Sequence, residues 1–468
     1  LRFTNYDLQI TIFKLLLTKN MKRRDFIKRT ALASAGVFAA PYILPSGRLF
    51  AASGLRRVNH VVFCLYAGGV RNLESVHMND GNLMTNLFSG GGSISPDIAG
   101  AMESLPPSPL SAPLQTYGTL FKEFRYKQGP TGHYNGHTVA VTGRYVDTDL
   151  NIREHPRNPT IFEYYRKHNS PQQSSMNSWW VANSLGPYPA LNYSSSSDYG
   201  PDYGANFIAP TSLISPQGFD VLGNPRNFAS PEEAAISNIH AFVNGIFNHS
   251  YSDGSAGVIN NSTDAALLQA FISDLYAKAQ TSQFQNSWNA ASVMNNDMYN
   301  MLFATEIIKT FKPELMVVNM QDVDVCHFNY TEYANNLRKA DFAVAQLWNT
   351  IQSTPGMADD TVLIVAPEHG RNFFTNTSVD AYGRAALDHT APNDPDFSGD
   401  PNLAMARDIF CLVVGPPSVV RQNQVINTLM GQSTEIVPAI ANLLGFDDAI
   451  PAGYLRNWAN CEIQAAFI

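Results

Sequence analysis

TVLIVAPEHGR, residues 361–371, is the stretch from which the fold can be read. Its opening is apolar or β-branched without alternation, the pattern of a strand buried on both faces. Pro367-Glu368-His369-Gly370 then sets an acid, an imidazole and a flexible turn at the strand's carboxyl end. Runs of the same kind recur at 58–65 (VNHVVFCL), 178–182 (SWWVA), 315–319 (LMVVN) and 409–414 (IFCLVV). Helical patterns lie between them at 160–168, 265–280, 288–311, 331–353 and 434–444, with Gly445 as the stop of the last. Strands alternating with helices predict a three-layer α/β/α sandwich around a mostly parallel central sheet, whose ligands bind beyond the carboxyl ends of the strands.

The rest of the chain bounds the function. With 468 residues, 44% hydrophobic and 15% charged, it has the composition of a globular protein. A net charge of −8 and no basic cluster beyond the N-terminal region exclude nucleic acid as a partner. Residues 21–28 (MKRRDFIK) place paired arginines ahead of an apolar, small-residue run, and Leu49-Phe50-Ala51 offers a cleavage site. Residues 21–52 thus read as a twin-arginine signal, which predicts engagement with the twin-arginine export machinery and a periplasmic or secreted destination. Residues 1–20 read as upstream sequence. Gly36 and Pro41 interrupt the apolar run, which falls short of a bilayer span, so no stable membrane span is expected after cleavage. One domain over 53–468 follows, in which 169–262, rich in Ser, Asn, Tyr, Gly and Pro, reads as an insertion or lid. Four dispersed cysteines do not form a disulfide framework; Cys64 and Cys411 read as core residues, and Cys326 stands apart because it precedes His327.

Four polar clusters stand at or near strand ends. Asp322, Asp324 and His327 follow the strand at 315–319 and present carboxylates and an imidazole suited to a divalent metal. Glu368 and His369 follow the strand at 361–366, and Asp388-His389-Thr390 comes later, where His389 can complete a coordination shell. In 129–145 (GPTGHYNGHTVAVTGRY) the glycines allow a close backbone approach, and a helix starting near His137 would aim free N–H groups at an anion. Arg144 and Arg371, beside two of these clusters, are candidate anion clamps. His60, His77, His155, His168, His240 and His249 read as ordinary residues, although Glu74 and Asp80 beside His77 are alternative acids for the site.

Taken in order, these segments resemble the alkaline phosphatase and sulfatase superfamily. Glu368-His369-Gly370 is similar to its Asp-His-Gly element, His389-Thr390 to its late His-Thr, and 434–445 to its C-terminal helix. The resemblance implies an alkaline-phosphatase-like core with two metal positions: Asp322 or Asp324 with His327 and His389 at one, Glu368 and His369 at the other. It implies divalent ions, Zn first, with Mn or Ca as alternatives. The His lies five residues after Asp322 and three after Asp324, against four in the family, so both aspartates stay candidates. Ala67-Gly68-Gly69 stands where the first strand of the family delivers a metal-binding Asp. His133 stands where its nucleophile belongs, with Thr131 as the nearby hydroxyl. Two functions are therefore expected as alternatives. One is an exported metal-dependent hydrolase acting on a small-molecule or glycan phosphate or sulfate ester, with attack by Thr131 or by water activated at the metal and His133 as phosphoacceptor or ligand. The other is a degenerate member that binds an anionic glycan or a partner without turnover.

Overall fold

Buried, unalternating strands must be covered on both faces, and the chain achieves this with one eight-stranded sheet. The computed structural model describes residues 55–91, 93–104, 106–147, 154–169, 174–182, 188–210, 258, 260–280, 294–389 and 401–468. Residues 21–52, read above as a signal, and the segment 1–20 lie outside the described residues, as does Thr390.

The strands are β1 (His60–Tyr66), β2 (Gly118–Arg125), β3 (Ser178–Val181), β4 (Asn206–Ile208), β5 (Leu315–Met320), β6 (Thr361–Pro367), β7 (Asp408–Val414) and β8 (Gln424–Ile426). Their order is β4-β3-β5-β1-β6-β7-β2-β8. Every neighbouring pair is parallel except β6/β7 and β7/β2, so β7 alone is reversed. Among the described residues, the helices of eight residues or more are α1 (His133–Thr142), α2 (Ile161–His168), α3 (Ser262–Gln280), α4 (Asn296–Phe311), α5 (Tyr330–Ser353) and α6 (Ile436–Leu443).

The three layers show in the packing. Val62, Cys64 and Tyr66 of β1 join one apolar cluster with α3, α4 and α5, whereas Val61, Phe63 and Leu65 join a second with α1, α2 and α6. That period of two is what a strand buried on both faces requires. The mostly parallel α/β/α sandwich expected from the sequence is the observed fold. All four cysteines are buried and free, Cys326 included, which packs in the first cluster.

Three differences from the sequence reading are local. β2 (GTLFKEFR) carries Lys122 and Glu123 and so lacks the continuous apolar signature, yet it pairs between β7 and β8. α1 begins at His133, four residues before the expected start, with Gly132 at its N-cap. The described part of 169–262 is built into the sheet through β3 and β4 instead of lying over it, and 211–257 lies outside the described residues.

Candidate metal centre

The carboxyl ends of β5, β1 and β6 lie side by side, and the turns that leave them carry the polar clusters to one place. After β1 the chain turns through Gly68 and Gly69, at φ +96° and +77°. Gly68 donates its N–H to Glu368 Oε1. A Cβ at Gly68 would stand 2.6 Å from Asp324 Cβ and 2.7 Å from its backbone nitrogen. Position 68 therefore has no room for a side chain, because Asp324 of the turn after β5 fills that space.

Glu368 is the buried hub. Its Oε1 lies 2.9 Å from His133 Nδ1 and 3.2 Å from His369 Nε2, and its Oε2 lies 2.5 Å from His137 Nδ1. Burial opposes its charge, but His137, His369 and His133 outweigh burial and hold the carboxyl well below the usual range. His137, wholly buried, is fixed at Nε2 by Asn319 Oδ1 of β5 at 2.7 Å. α1 approaches Glu368 this closely because Gly136 has no side chain; a Cβ there would meet Glu368 Cβ at 2.8 Å.

Asp324 is the second hub. Its Oδ1 faces Arg371 Nη2 at 3.0 Å, His327 Nε2 at 3.2 Å and His389 Nε2 at 3.5 Å, and its Oδ2 faces His133 Nε2 at 3.2 Å. Despite burial, its carboxyl is pushed far down by these imidazoles. His133 bridges the two hubs: burial disfavours its charge, yet Glu368 and Asp324 raise its pKa to about 10. His327 donates Nδ1–H to Asp388 Oδ1 at 2.7 Å, which turns Nε2 towards Asp324. His389 Nδ1 is held by the Thr131 carbonyl at 2.6 Å, and burial first, then the neighbouring His369 imidazole, lowers this imidazole to about 3. It therefore presents a neutral lone pair at Nε2.

The donor set fits divalent cations. Among the described residues, His133, His369 and His389 form one group and Asp324, His327 and His389 another, each with ligand atoms within 4.8 Å of one another. Glu368 Oε2, His369 Nε2 and His389 Nε2 are buried without a well-directed hydrogen-bond partner among the described residues. The two groups of converging imidazole and carboxylate atoms suit Zn-type coordination.

Four candidate residues take other places. Asp322 points away from the imidazoles and caps α4, accepting from Asn296 Nδ2 at 2.8 Å and the Asp297 amide at 3.1 Å, so Asp324 is the aspartate of the site. Arg144 binds the carbonyls of Tyr454 and Gly453, fastening the C-terminal segment instead of facing an anion. Arg371 is wholly buried and donates to the carbonyls of Gly68, Gly69, Leu387 and Val323 as well as to Asp324. It braces the strand-end turns and is not exposed as an anion clamp. Thr131 is 1% exposed and its hydroxyl donates to the His389 carbonyl, so it supports that histidine and is not presented for attack.

Of the alternatives near His77, Glu74 pairs with Arg71, Asp80 with Arg384, and His77 itself with Glu123. None joins the site. Sequence reading placed His137, Asp388, Gly68 and Gly136 in its clusters and turns without naming them as site residues, and did not single out the Asn319 side chain. The i,i+4 spacing of His133 and His137 was the visible signal for His137.

Structural neighbours of this chain are alkaline phosphatase superfamily members and sulfatases. It is similar to a protein in the alkaline phosphatase superfamily from Vibrio parahaemolyticus, with 11% identity and TM-score 0.42 over 97% of this chain and 80% of that one. A 2-O GAG sulfatase shows 10% identity and TM-score 0.41 over 85% and 72% of the two chains. A variant of the alkaline phosphatase PafA shows 9% identity and TM-score 0.42 over 86% and 100%. No protein-family model and no curated protein matches the sequence.

Proposed function

We propose that this protein is an exported, metal-dependent hydrolase of phosphate or sulfate esters, of the alkaline phosphatase and sulfatase type. The observation that carries the reading is the convergence of His133, His369 and His389, and of Asp324, His327 and His389, each group with ligand atoms within 4.8 Å of one another, at the carboxyl edge of the sheet. His133, His369 and His389 would hold one divalent ion, with the Glu368 carboxylate behind His133 and His369, and Asp324, His327 and His389 a second. Such ions, when bound, supply charge stabilisation for an anionic ester. The chain's own residues hold the ligands in place: Asp388 orients His327, Thr131 orients His389, and Arg371 pins the turns beneath Asp324. His133, Asp324 and His327 are the partly exposed members, so a substrate enters on their side.

The sequence supports one competing reading. The resemblance puts His133 at the family's nucleophile position, which suits a non-hydrolytic binder of anionic glycans. Elemental analysis of the purified mature protein, followed by assay of 4-nitrophenyl phosphate and 4-nitrophenyl sulfate after loading with Zn, Mn or Ca, separates the two. Bound metal with turnover is expected; a chain that binds metal but turns over neither ester supports the binder, and one that takes up no metal defeats both.

A further inference from the structure

We propose that Phe328, Phe373 and Phe374 form an aromatic rim on which the organic part of the substrate rests, and that the ester is one of an alkyl or aryl alcohol and not of a sugar. The inference rests on the hydrolase reading above and narrows its substrate.

Among the described residues, ten large hydrophobic side chains stand exposed, and five of them are Phe328, Phe373, Phe374, Val379 and Tyr382. Phe328 directly follows His327, and the other four lie on the stretch that leads to Asp388. Scattered singly, such residues need no explanation. Gathered beside a polar centre, they mark a surface that another apolar group covers. Phe328 is 74% exposed, and its ring centroid lies 6.1 Å from that of His327. Phe373 and Phe374 are 41% and 58% exposed and meet edge to face with centroids 5.1 Å apart.

The two segments are tied to each other and to the centre. Asn376 Nδ2 donates to the His327 carbonyl and to Asp388 Oδ1, each at 3.1 Å. The Asn372 amide donates to the Asp388 carbonyl, and the Asn376 amide to the Ala386 carbonyl, both at 2.8 Å. From behind, Arg71 Nη1 donates to the carbonyls of Asn372 and Phe373 at 3.2 and 2.9 Å, and Arg71 is itself locked to Glu74. The backbone beneath the rings is therefore fixed before a ligand arrives, so little ordering opposes binding there. His327 and Asp388 are themselves partly exposed, which puts this segment on the open side of the centre.

Phenyl rings offer contact area without a polar tip, and that is what selects a hydrocarbon. A sugar requires polar partners for its hydroxyls as well as an aromatic face, and the polar side chains around these rings are engaged in holding the loop. Asn376 Oδ1 accepts from the Ser378 amide while its Nδ2 serves His327 and Asp388. Asp388 Oδ1 is shared between Asn376 and His327 Nδ1. Asp380 accepts the Thr331 amide at the start of α5, and Arg384 pairs with Asp80 and Asp97. An ester with an anionic head and an apolar body matches both halves of this surface, the head at the ligand groups and the body on the rings.

The test uses the metal-loaded mature protein with ethyl and hexyl phosphate and the matching sulfates, against glucose 6-phosphate and glucose 6-sulfate. The ethyl and hexyl alcohols are nearly equal as leaving groups, so their ratio reads contact and not reactivity. We expect kcat/KM to rise by about 10-fold or more from ethyl to hexyl, and the sugar ester to fall at or below the ethyl level. Phe328→Ala with Phe374→Ala should bring the hexyl-to-ethyl ratio within about 2-fold of unity, whereas Phe328→Tyr with Phe374→Tyr, which keeps the rings, should preserve it. Binding is read separately by calorimetry with hexyl- and ethylphosphonate and the corresponding alkanesulfonates, which are not hydrolysed. Turnover with a flat series, or with the sugar ester preferred, overturns the inference and leaves the hydrolase reading intact. Tighter binding of the hexyl compounds without turnover of any ester supports the rim and overturns the hydrolase reading; flat binding without turnover overturns both. A dimer in light scattering, or sedimentation with phosphatidylcholine vesicles, that the double alanine variant abolishes would assign the rings to a second copy or to a membrane and overturn the inference.

Discussion

Gly68 sits at φ +96°, a conformation that L side chains rarely adopt, and the space where its side chain would go is filled by the backbone of Asp324. Gly68→Ala should therefore combine left-handed strain with a clash, destabilising the chain by about 1–3 kcal/mol in denaturant unfolding and weakening metal uptake. Arg371 gives a complementary test. Its guanidinium serves four carbonyls and one carboxylate in a dry setting, and lysine, with a single compact head, cannot reproduce that fork. Arg371→Lys is expected to lower unfolding free energy by about 2–4 kcal/mol, measured by urea titration of the metal-free chain. A loss no larger than that of an exposed Arg→Lys control would show that the carbonyl cage does not depend on the fork.

Among the elements, α1 matters most to the site. Its first residue is His133 and its second turn carries His137, so one helix face delivers both imidazoles to Glu368. In an exposed helix, Gly→Ala stabilises by about 1 kcal/mol. Gly136→Ala should do the reverse here, because the new Cβ would press on Glu368 at 2.8 Å and push α1 off the sheet edge. Thermal unfolding with and without Zn checks this: a lower midpoint and a smaller Zn-induced shift are expected, and a raised midpoint would contradict the packing. The turn after β5 is likewise held from behind, where Asp297 accepts the amides of Gln321 and Asp322 while Asp322 accepts the amide of Asp297. That reciprocal cap explains why Asp322, so prominent in the sequence, serves α4 and leaves Asp324 to the site.

At the scale of the whole molecule, His133 joins three separate parts of the chain: α1, the turn after β5 and the end of β6. The metal-free protein should show the consequence in its stability against pH. An unfolded histidine titrates near pH 6.5, and in the fold Glu368 and Asp324 raise His133 to about 10. The folded chain thus holds the proton more tightly, and its contribution to stability is complete below about pH 6.5 and lost as pH rises through about 10. Melts of chelator-treated protein between these values should fall with pH, and His133→Gln should flatten that slope; an unchanged slope in the variant would refute the assignment. Secretion supplies the remaining prediction. Arg23→Lys with Arg24→Lys should strand folded precursor inside the cell, and undiminished export would contradict the twin-arginine reading.

The sequence by itself determined the layers and the edge of the sheet at which the chemistry gathers. Continuous apolar runs such as 361–366 are buried wherever they occur, and the residue that follows such a strand must emerge at its carboxyl end. Glu368 and His369 were legible for that reason, and His389 only as a candidate completion of their shell. Strand direction was not, since an apolar run reads the same either way, and β7 is reversed only because of its pairing with β6 and β2. The partners of the charged groups were equally hidden. Whether Asp322 or Asp324 faces the imidazoles, and whether Arg371 or Arg144 meets an anion or a carbonyl, depends on contacts between residues far apart in the chain. Only tertiary packing brings the turn after β5 against Gly68, and that approach sets Asp324 beside the end of β1 and leaves position 68 no room for a side chain.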